Sequence, residues 1–273
     1  MTHYSLLVGS SGGGLAATSF VELTSGSSTF SVPDGYNAIH IQYAVGGGGG
    51  AVRGADYDKA GGESAGAGGG SGAYISDKIL TVTEGETITY AIASAGTAGN
   101  SGSLYNVSAG NGGNTTLSGS STGSLFSLVG GGGSSASGGG VQGPLRTNTA
   151  GTAGAATISG TAITSGIFSD SDNSVKNVNT NTSGPVGTFN QSGNGAVGVL
   201  SGSGNCGGDN CSIAGFDGGD SYAGNIDGGV GSPIGGSSTA GTRGSGGGGG
   251  AHPTTNGSVG GAGEIKYRFL QVI

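Results

Sequence analysis

The chain has 273 residues, 69 of them glycine; 33% are hydrophobic and only 8% charged, and 15 acidic against 8 basic side chains give a formal net charge of −7. Basic residues this few and scattered argue against a nucleic-acid surface, where clustered Lys and Arg must neutralise phosphates, and disfavour an anionic membrane surface for the same reason. With no apolar run of about 20 residues, no membrane insertion by a spanning helix is expected, and residues 1–15, which lack a basic start and any apolar run longer than Leu6-Leu7-Val8, predict no signal peptide.

Glycine at this level far exceeds the roughly 7% of ordinary globular chains. A Gly/Ser/Thr/Asn excess usually marks a disordered linker, because such a chain buries too little apolar surface to offset the entropy of ordering. Three features point the other way: the hydrophobic fraction is substantial, charge is scarce, and the apolar residues gather into short patterned runs. Helix signals are nearly absent, since glycine interrupts almost every window.

In chain order, weak strand signals at 4–8 and 20–23 precede a short strand over 29–32. Pro33-Asp34-Gly35 then supplies the fixed φ and the positive-φ tolerance of a tight turn. The strongest strand follows at 38–45, with Ile39, Ile41, Tyr43 and Val45 on one face and Ala38, His40, Gln42 and Ala44 on the other, the pattern of a half-buried strand. The two strands read as an antiparallel pair. Residues 73–93 repeat the logic: a strand at 79–82, a Glu84-Gly85 turn, then Ile88, Tyr90 and Ile92 alternating with Thr87, Thr89 and Ala91, which predicts a hairpin. Further strands are expected at 125–129 and over 264–273, where Ile265, Tyr267 and Phe269 alternate with Lys266 and Arg268; weaker signals sit at 156–158, 162–163 and 196–200.

Between the strands lie glycine tracts at 46–50, 61–72, 110–113, 130–140 and 228–263. Polyglycine can form an extended helix of three residues per turn whose donors and acceptors all point outward. Several such helices side by side can bond laterally, at a separation only glycine permits. The expected fold is therefore all-β: short antiparallel strands in a jelly-roll-like or sandwich arrangement, with inserted polyglycine II helices, long loops and no substantial α-helix. The organisation reads as an N-terminal attachment or strand segment (1–28), a glycine-rich β domain (29–140), a Ser/Thr/Asn-rich variable insertion (141–227), and a glycine tract with the closing strand of the same domain (228–273).

Catalytic chemistry has little to work with. The histidines are His3, His40 and His252; none lies in a nucleophile motif, and His40, on the polar face of its strand, reads as a surface residue. The densest acidic stretch runs through Asp209, Asp217, Asp220 and Asp227. Asp217, Asp220 and Asp227 are weak calcium candidates, because only one partial copy of a Gly/Asp repeat is present, and turn formation is the favoured reading. Gly46–Gly50 lacks the Lys-Ser/Thr and the helix of a phosphate loop. Cys206 and Cys211, in Cys-Gly-Gly-Asp-Asn-Cys, are spaced for a local disulfide, and a reduced pair is equally open. A non-enzymatic protein without cofactor is expected. For binding, Tyr57, Tyr105, Phe189, Phe216 and Tyr222 offer flat apolar contact on loops of small side chains, and plugging local mini-cores is the competing reading.

The order of motifs carries a resemblance. Phe30-Ser-Val-Pro-Asp-Gly35 leads into an alternating strand and Gly46–Gly50; a second glycine tract, the Thr83-Glu84-Gly85-Glu86 turn and a late Gly-Gly-Ala-Gly-Glu-Ile-Lys-Tyr strand follow. This resembles the glycine-rich domain of phage tail-fibre proteins. It is also similar to the detachable tail-fibre adhesins of T-even-like phages, whose lattices of polyglycine II helices hold loops that recognise outer-membrane proteins, although their fibre-attachment domain is not matched. The resemblance implies a virion protein of the tail fibre or tail tip, made in the host cytoplasm. Its partners would be other phage tail or fibre proteins and a bacterial surface protein or glycan; a homotrimer and a monomer are both open. The alternative is a purely structural virion component: a spacer, cap or decoration protein.

Overall fold

The computed structural model describes residues 16–52, 66–99, 106–137, 147–165, 167–169, 175–177, 191–193, 217–220, 228–230, 237–250 and 256–273. Among them the regular elements are β-strands: β1 (Val21–Leu23), β2 (Ser27–Ser31), β3 (Ala38–Val45), β4 (Tyr74–Thr81), β5 (Thr87–Ala91), β6 (Asn106–Ser108), β7 (Thr115–Gly119), β8 (Gly123–Leu128), β9 (Ser135–Ser137), β10 (Thr147–Thr149), β11 (Ala156–Ile158), β12 (Ile167–Ser169), β13 (Val175–Asn177), β14 (Gln191–Gly193) and β15 (Glu264–Leu270). All strand pairs are antiparallel, and the fold is all-β, as expected. One five-stranded sheet has the order β1-β15-β3-β4-β14, a second β11-β8-β7-β5-β2; a three-stranded sheet (β10-β9-β6) and a β12-β13 pair complete the set.

The two large sheets face each other. Ile39, Ile41, Ala44, Ile75, Leu80, Ile265, Tyr267 and Phe269 of the first meet Ile88, Leu117, Leu125, Phe126 and Leu128 of the second in one buried cluster. Phe30 on β2 stacks on Tyr267 with ring centroids 4.8 Å apart and 10° between planes. Each such fully buried large side chain contributes about 1.5–3 kcal/mol relative to exposure, so this cluster is the main apolar anchor of the fold.

Both hairpins expected from the sequence are instead corners between sheets. β2 pairs with β5 and β3 with β4, so the connections 32–37 and 82–86 each carry the chain from one sheet to the other. The turns form where expected, with Gly35 at φ 83° and Gly85 at φ 75°. Val32 and Val82 are buried in the core shared by the two layers. The two corners run side by side: the Val32 N–H donates to the Glu86 carbonyl (2.9 Å), the Gly85 N–H to Val32 (3.1 Å) and the Val82 N–H to Asn37 (3.1 Å). Alternation looks the same whether the next strand pairs with its predecessor or changes layer, which is why the sequence suggested hairpins.

Glu86 locks this corner to the β7–β8 turn. Its carboxylate is 4% exposed and accepts the backbone N–H groups of Thr83 (2.7 Å), Ser121 (3.0 Å) and Thr122 (3.1 Å). Burial pushes the carboxyl up, but the donors at Thr83, Thr122 and Ser121 outweigh it and hold Glu86 below its ordinary value. A depressed carboxylate contributes stability above its unfolded pKa that is lost as pH falls through the folded one. Glu86→Ala leaves the buried N–H groups without an acceptor and is expected to cost about 2–4 kcal/mol at neutral pH, narrowing as pH falls through the acid range, as read by denaturant titration at several pH values.

The central strand also departs from simple alternation. Lys266 pairs with Tyr43 but the next residue, Tyr267, pairs with Ile41, so Gln42 is bulged out of the ladder. The slip puts Ala44, in place of Tyr43, in the core with Ile39 and Ile41. Nor is β3 half-buried: Ala38 and His40 on its other face are buried too.

The glycine tracts continue the strands out of one end of the sandwich. β3, β5 and β8 run outward into 46–52, 92–99 and 129–134, while 66–73, 109–114, 150–155 and 256–263 return into β4, β7, β11 and β15. Successive N–H groups of the first tract donate to three neighbours in turn. Gly46 donates to Ala73, Gly47 to Gly113 and Gly48 to Gly261; then Gly49 to Gly70, Gly50 to Gly110 and Ala51 to Ser258, all at 2.8–3.1 Å. Its carbonyls are met from three other tracts with the same step: Gly47 and Gly50 by Gly131 and Ser134, Gly48 and Ala51 by Gly96 and Gly99, Gly49 and Val52 by Gly247 and Gly250. A three-residue repeat with purely lateral bonds is the polyglycine II helix. Tract 46–52 is thus the central rod of a hexagonal array, with antiparallel neighbours taking its protons and parallel ones supplying them.

The packing explains the composition. A Cβ on Gly48 would overlap the Ser245 carbonyl, one on Gly49 the Gly132 carbonyl, and one on Gly50 the Thr97 carbonyl. Described parts of 141–227 join the same structure: β11 and β14 extend the large sheets, and Gly151, Gly154 and Gly219 donate to Gly68, Ser71 and Gly69 of tract 66–73.

Candidate functional site

The molecule has two ends of different character. At the base, away from the lattice, Gln271 donates to Ala16, Asn37 to Leu270, and the two corners turn. At the far end, the lattice closes on a small plug of Val52, Ala67, Val107 and Ala136, with Ala109 against it. The Ser134 hydroxyl fastens that plug, donating to the Ala67 carbonyl (2.7 Å) and accepting the Val52 N–H (2.9 Å). The β10-β9-β6 sheet lies beside it, continuing tracts 109–114, 129–134 and 150–155. Here the chain leaves and re-enters the described structure at Val52 and Gly66, Gly99 and Asn106, Ser137 and Thr147, and Gly250 and Asn256.

The sequence-derived candidates distribute around this frame. Tyr57 falls between Val52 and Gly66, and Tyr105 immediately precedes Asn106 of β6; both lie outside the described residues, as do Phe189, Phe216, Tyr222, Asp227, Cys206 and Cys211. Asp217 and Asp220 are exposed and bracket two buried lattice glycines. The Asp220 carboxylate accepts the Gly228 N–H at 2.8 Å, joining 217–220 to 228–230 as a cap. Among the described residues no group of three or more His, Cys, Asp or Glu is placed to hold a metal ion.

Sequence reasoning missed a polar strip on the outer face of the first sheet. His40, read as a surface residue, is 4% exposed, because Phe20 folds over it with its ring edge-on at 5.6 Å. The Arg268 Nε donates to His40 Nδ1 (3.2 Å), so the neutral imidazole carries its proton on Nε2, which faces Asp77 Oδ1 at 3.3 Å. The network runs cation, neutral ring, anion, and Phe20 also covers the Arg268 guanidinium at 4.5 Å. Asp77 adopts a left-handed φ of 47°, and its Oδ2 is buried with no hydrogen-bond partner among the described residues.

Along the same face, the Gln42 bulge places Tyr43 between two carboxyls. Its hydroxyl lies 2.6 Å from Glu22 Oε1 and in short contact with Glu264 Oε1. One phenolic proton serves one acceptor at a time, so only one of the two carboxyls converging on the hydroxyl can take it. Burial, then the bond to Glu22, raises Glu264; the bond to Glu264, then that to Tyr43, lowers Glu22. Burial, followed by the two carboxyls, pushes the Tyr43 phenol far up. Arg243 Nε is 3.3 Å from Glu264, and the Arg243 and Lys266 cations stand 5.5 and 5.9 Å from the Tyr43 ring centre. Converging on one phenol hydroxyl, the two carboxyls fasten β1 to the sheet.

The pair's pH dependence follows from the two directions. Glu264, raised, contributes stability below its unfolded pKa that is lost as pH rises through its folded value; Glu22, lowered, contributes stability above its unfolded pKa that is lost as pH falls through its folded value. The pair therefore stabilises most while it holds one proton. Glu264→Gln, whose amide can donate to Glu22 at any pH, should flatten the fall in stability of the parent protein as pH rises out of the carboxyl range. Equilibrium unfolding of the two proteins across that range checks it; parallel curves refute the opposed shifts of the two carboxyls.

None of the curated proteins compared with the chain matches it. A family model for a glycine-rich domain matches residues 22–270, from Glu22 on the edge strand to the last residue of β15, and the chain belongs to that glycine-rich domain family.

Proposed function

We propose that this protein is a receptor-binding adhesin of a phage tail fibre or tail tip, with the sandwich as its base and the polyglycine lattice as the carrier of host-recognition loops. The observation that carries this reading is the polarity of the molecule. Among the described residues, rods leave the sandwich at one end only, and the chain passes repeatedly through the far end of the lattice, while residues 16–18 and 269–271 lie side by side at the base. A rod whose donors and acceptors are bonded on six sides is a stiff support, and precise presentation of loops requires a rigid support. Tyr57 and Tyr105 belong to segments tethered at that far end. Tyrosine among Ser, Gly and Asn is suited to contacting a surface protein or glycan. Other tail or fibre proteins would be held at the base.

Two measurements test this. Virions labelled with an antibody to the chain should show the label at the tail; label absent from virions, or confined to the capsid interior, ends the reading. Purified protein should bind host cells, and Tyr57→Ala with Tyr105→Ala should weaken binding roughly tenfold or more with melting unchanged. Tail labelling without cell binding would identify a structural spacer, cap or decoration protein instead.

A further inference from the structure

Among the described residues four strands border the two large sheets: β1 and β14 in one, β11 and β2 in the other. β1, β11 and β14 are three residues long, and β1 carries the charged Glu22 at its centre. β2 is different. It has five residues, pairs with β5 through all of them without a bulge, and exposes Ser27, Ser28, Thr29 and Ser31, with only Phe30 turned to the core. Edges are normally guarded by charge, proline, a bulge or a covering segment; Ser27-Ser28-Thr29-Phe30-Ser31 has no charge, proline or bulge, and no strand among the described residues pairs with its outer side.

The ladder fixes which backbone groups are free to pair. Gly26 accepts from Ile92 and Val32 donates to Glu86, so the even-numbered positions bond inward to β5. In an antiparallel ladder the alternate residues aim both polar groups the other way. The N–H and C=O of Ser27, Thr29 and Ser31 therefore point out of the edge.

We propose that β2 is the pairing edge for a second copy of this chain. Two β2 strands would lie antiparallel about a twofold axis through Thr29, joining two five-stranded sheets into one continuous sheet. The sequence fits itself in this register: Thr29 faces Thr29, Ser27 faces Ser31 and Ser28 faces Phe30, and all three outward residues of each strand exchange bonds. The nearest flanking charges, Glu22 and Asp34, fall opposite Tyr36 and Thr24, so no like charges meet despite the net −7. A foreign strand has no such match built in. Because Phe30 stays stacked on Tyr267, the contact is chiefly backbone, and a reversible dimer is expected. The pairing does not depend on the adhesin reading.

Sedimentation velocity of the full chain from about 1 to 500 µM should show a monomer–dimer equilibrium. Thr29→Lys, on the solvent side of a free edge, should raise the dissociation constant about tenfold or more with melting unchanged. Thr29→Cys should form a reducible dimer under mild oxidation that neither the parent nor Thr164→Cys forms, since paired Cα atoms about 5.5 Å apart lie within disulfide reach. A monomer at every concentration, or a dimer indifferent to both Thr29 substitutions, overturns the proposal.

Discussion

Gly48→Ala is expected to destabilise the protein by about 3–5 kcal/mol, lowering the melting temperature by roughly 10 °C. The added methyl would overlap the backbone of Ser245, where no rotamer change can relieve it. Tract 244–250 cannot simply withdraw. Gly247 and Gly250 donate to Gly49 and Val52, and Ser245 accepts from Gly261, so displacing Ser245 strains three rods together. The contrast is Gly85→Ala: a Cβ there meets nothing within 4 Å, and only the φ of 75° opposes it, at a cost of about 1–2 kcal/mol. Denaturant melts of both variants make the comparison. A Gly48→Ala protein as stable as the parent would mean that the rods are not packed as described.

Arg268→Ala is expected to cost about 3–5 kcal/mol, because it leaves His40 Nδ1 without its donor and the Asp77 carboxylate buried without a compensating cation. It also removes the guanidinium from beneath Phe20, so residues 16–23 should exchange amide protons faster than the core strands. The loss should be largely recovered in the triple variant Arg268→Met, His40→Leu, Asp77→Asn, since replacing a whole buried polar network with packed groups is near neutral, and asparagine tolerates the left-handed φ of 47°. If the single variant unfolds at the parent's denaturant midpoint, the network contributes nothing and the description of this face is wrong.

Strands long enough to alternate were legible in the sequence. β3, β5, β8 and β15 fall where the apolar pattern put them, as do both turns. What alternation does not encode is the partner of each strand. β2 and β3 look like a hairpin until Val32 is seen filling the core between layers. The Gln42 bulge was equally invisible, because a skipped residue shows only against the strand beside it. His40 was misread for a related reason: the group that buries it, Phe20, comes from a segment whose docking is set by Arg268 and Lys266 far along the chain.

For the lattice, pure glycine tracts were recognisable and mixed ones were not. Tracts 92–99 and 150–155 carry Ala, Ser and Thr, yet both are rods. The usable signal was glycine at every third position, at Gly96 and Gly99 and at Gly151 and Gly154, where the rod turns inward and a Cβ would meet neighbouring backbone. Three-residue strands such as β6, β9 and β10 are too short for any pattern and are placed by their neighbours. The aromatic candidates Tyr57, Tyr105, Phe189, Phe216 and Tyr222 lie outside the described residues.

The central rod has a consequence for how the molecule is made. Tract 46–52 is translated before most of its partners: the acceptors for Gly48 and Ala51 come from Gly261 and Ser258, and the donors for Gly49 and Val52 from Gly247 and Gly250. Until those late residues arrive, the early rod holds unbonded peptide groups that only water can satisfy. The lattice should therefore close only once residues 247–261 have been made, in one cooperative step, at the slow rate expected when the bonds of its central rod span long stretches of chain.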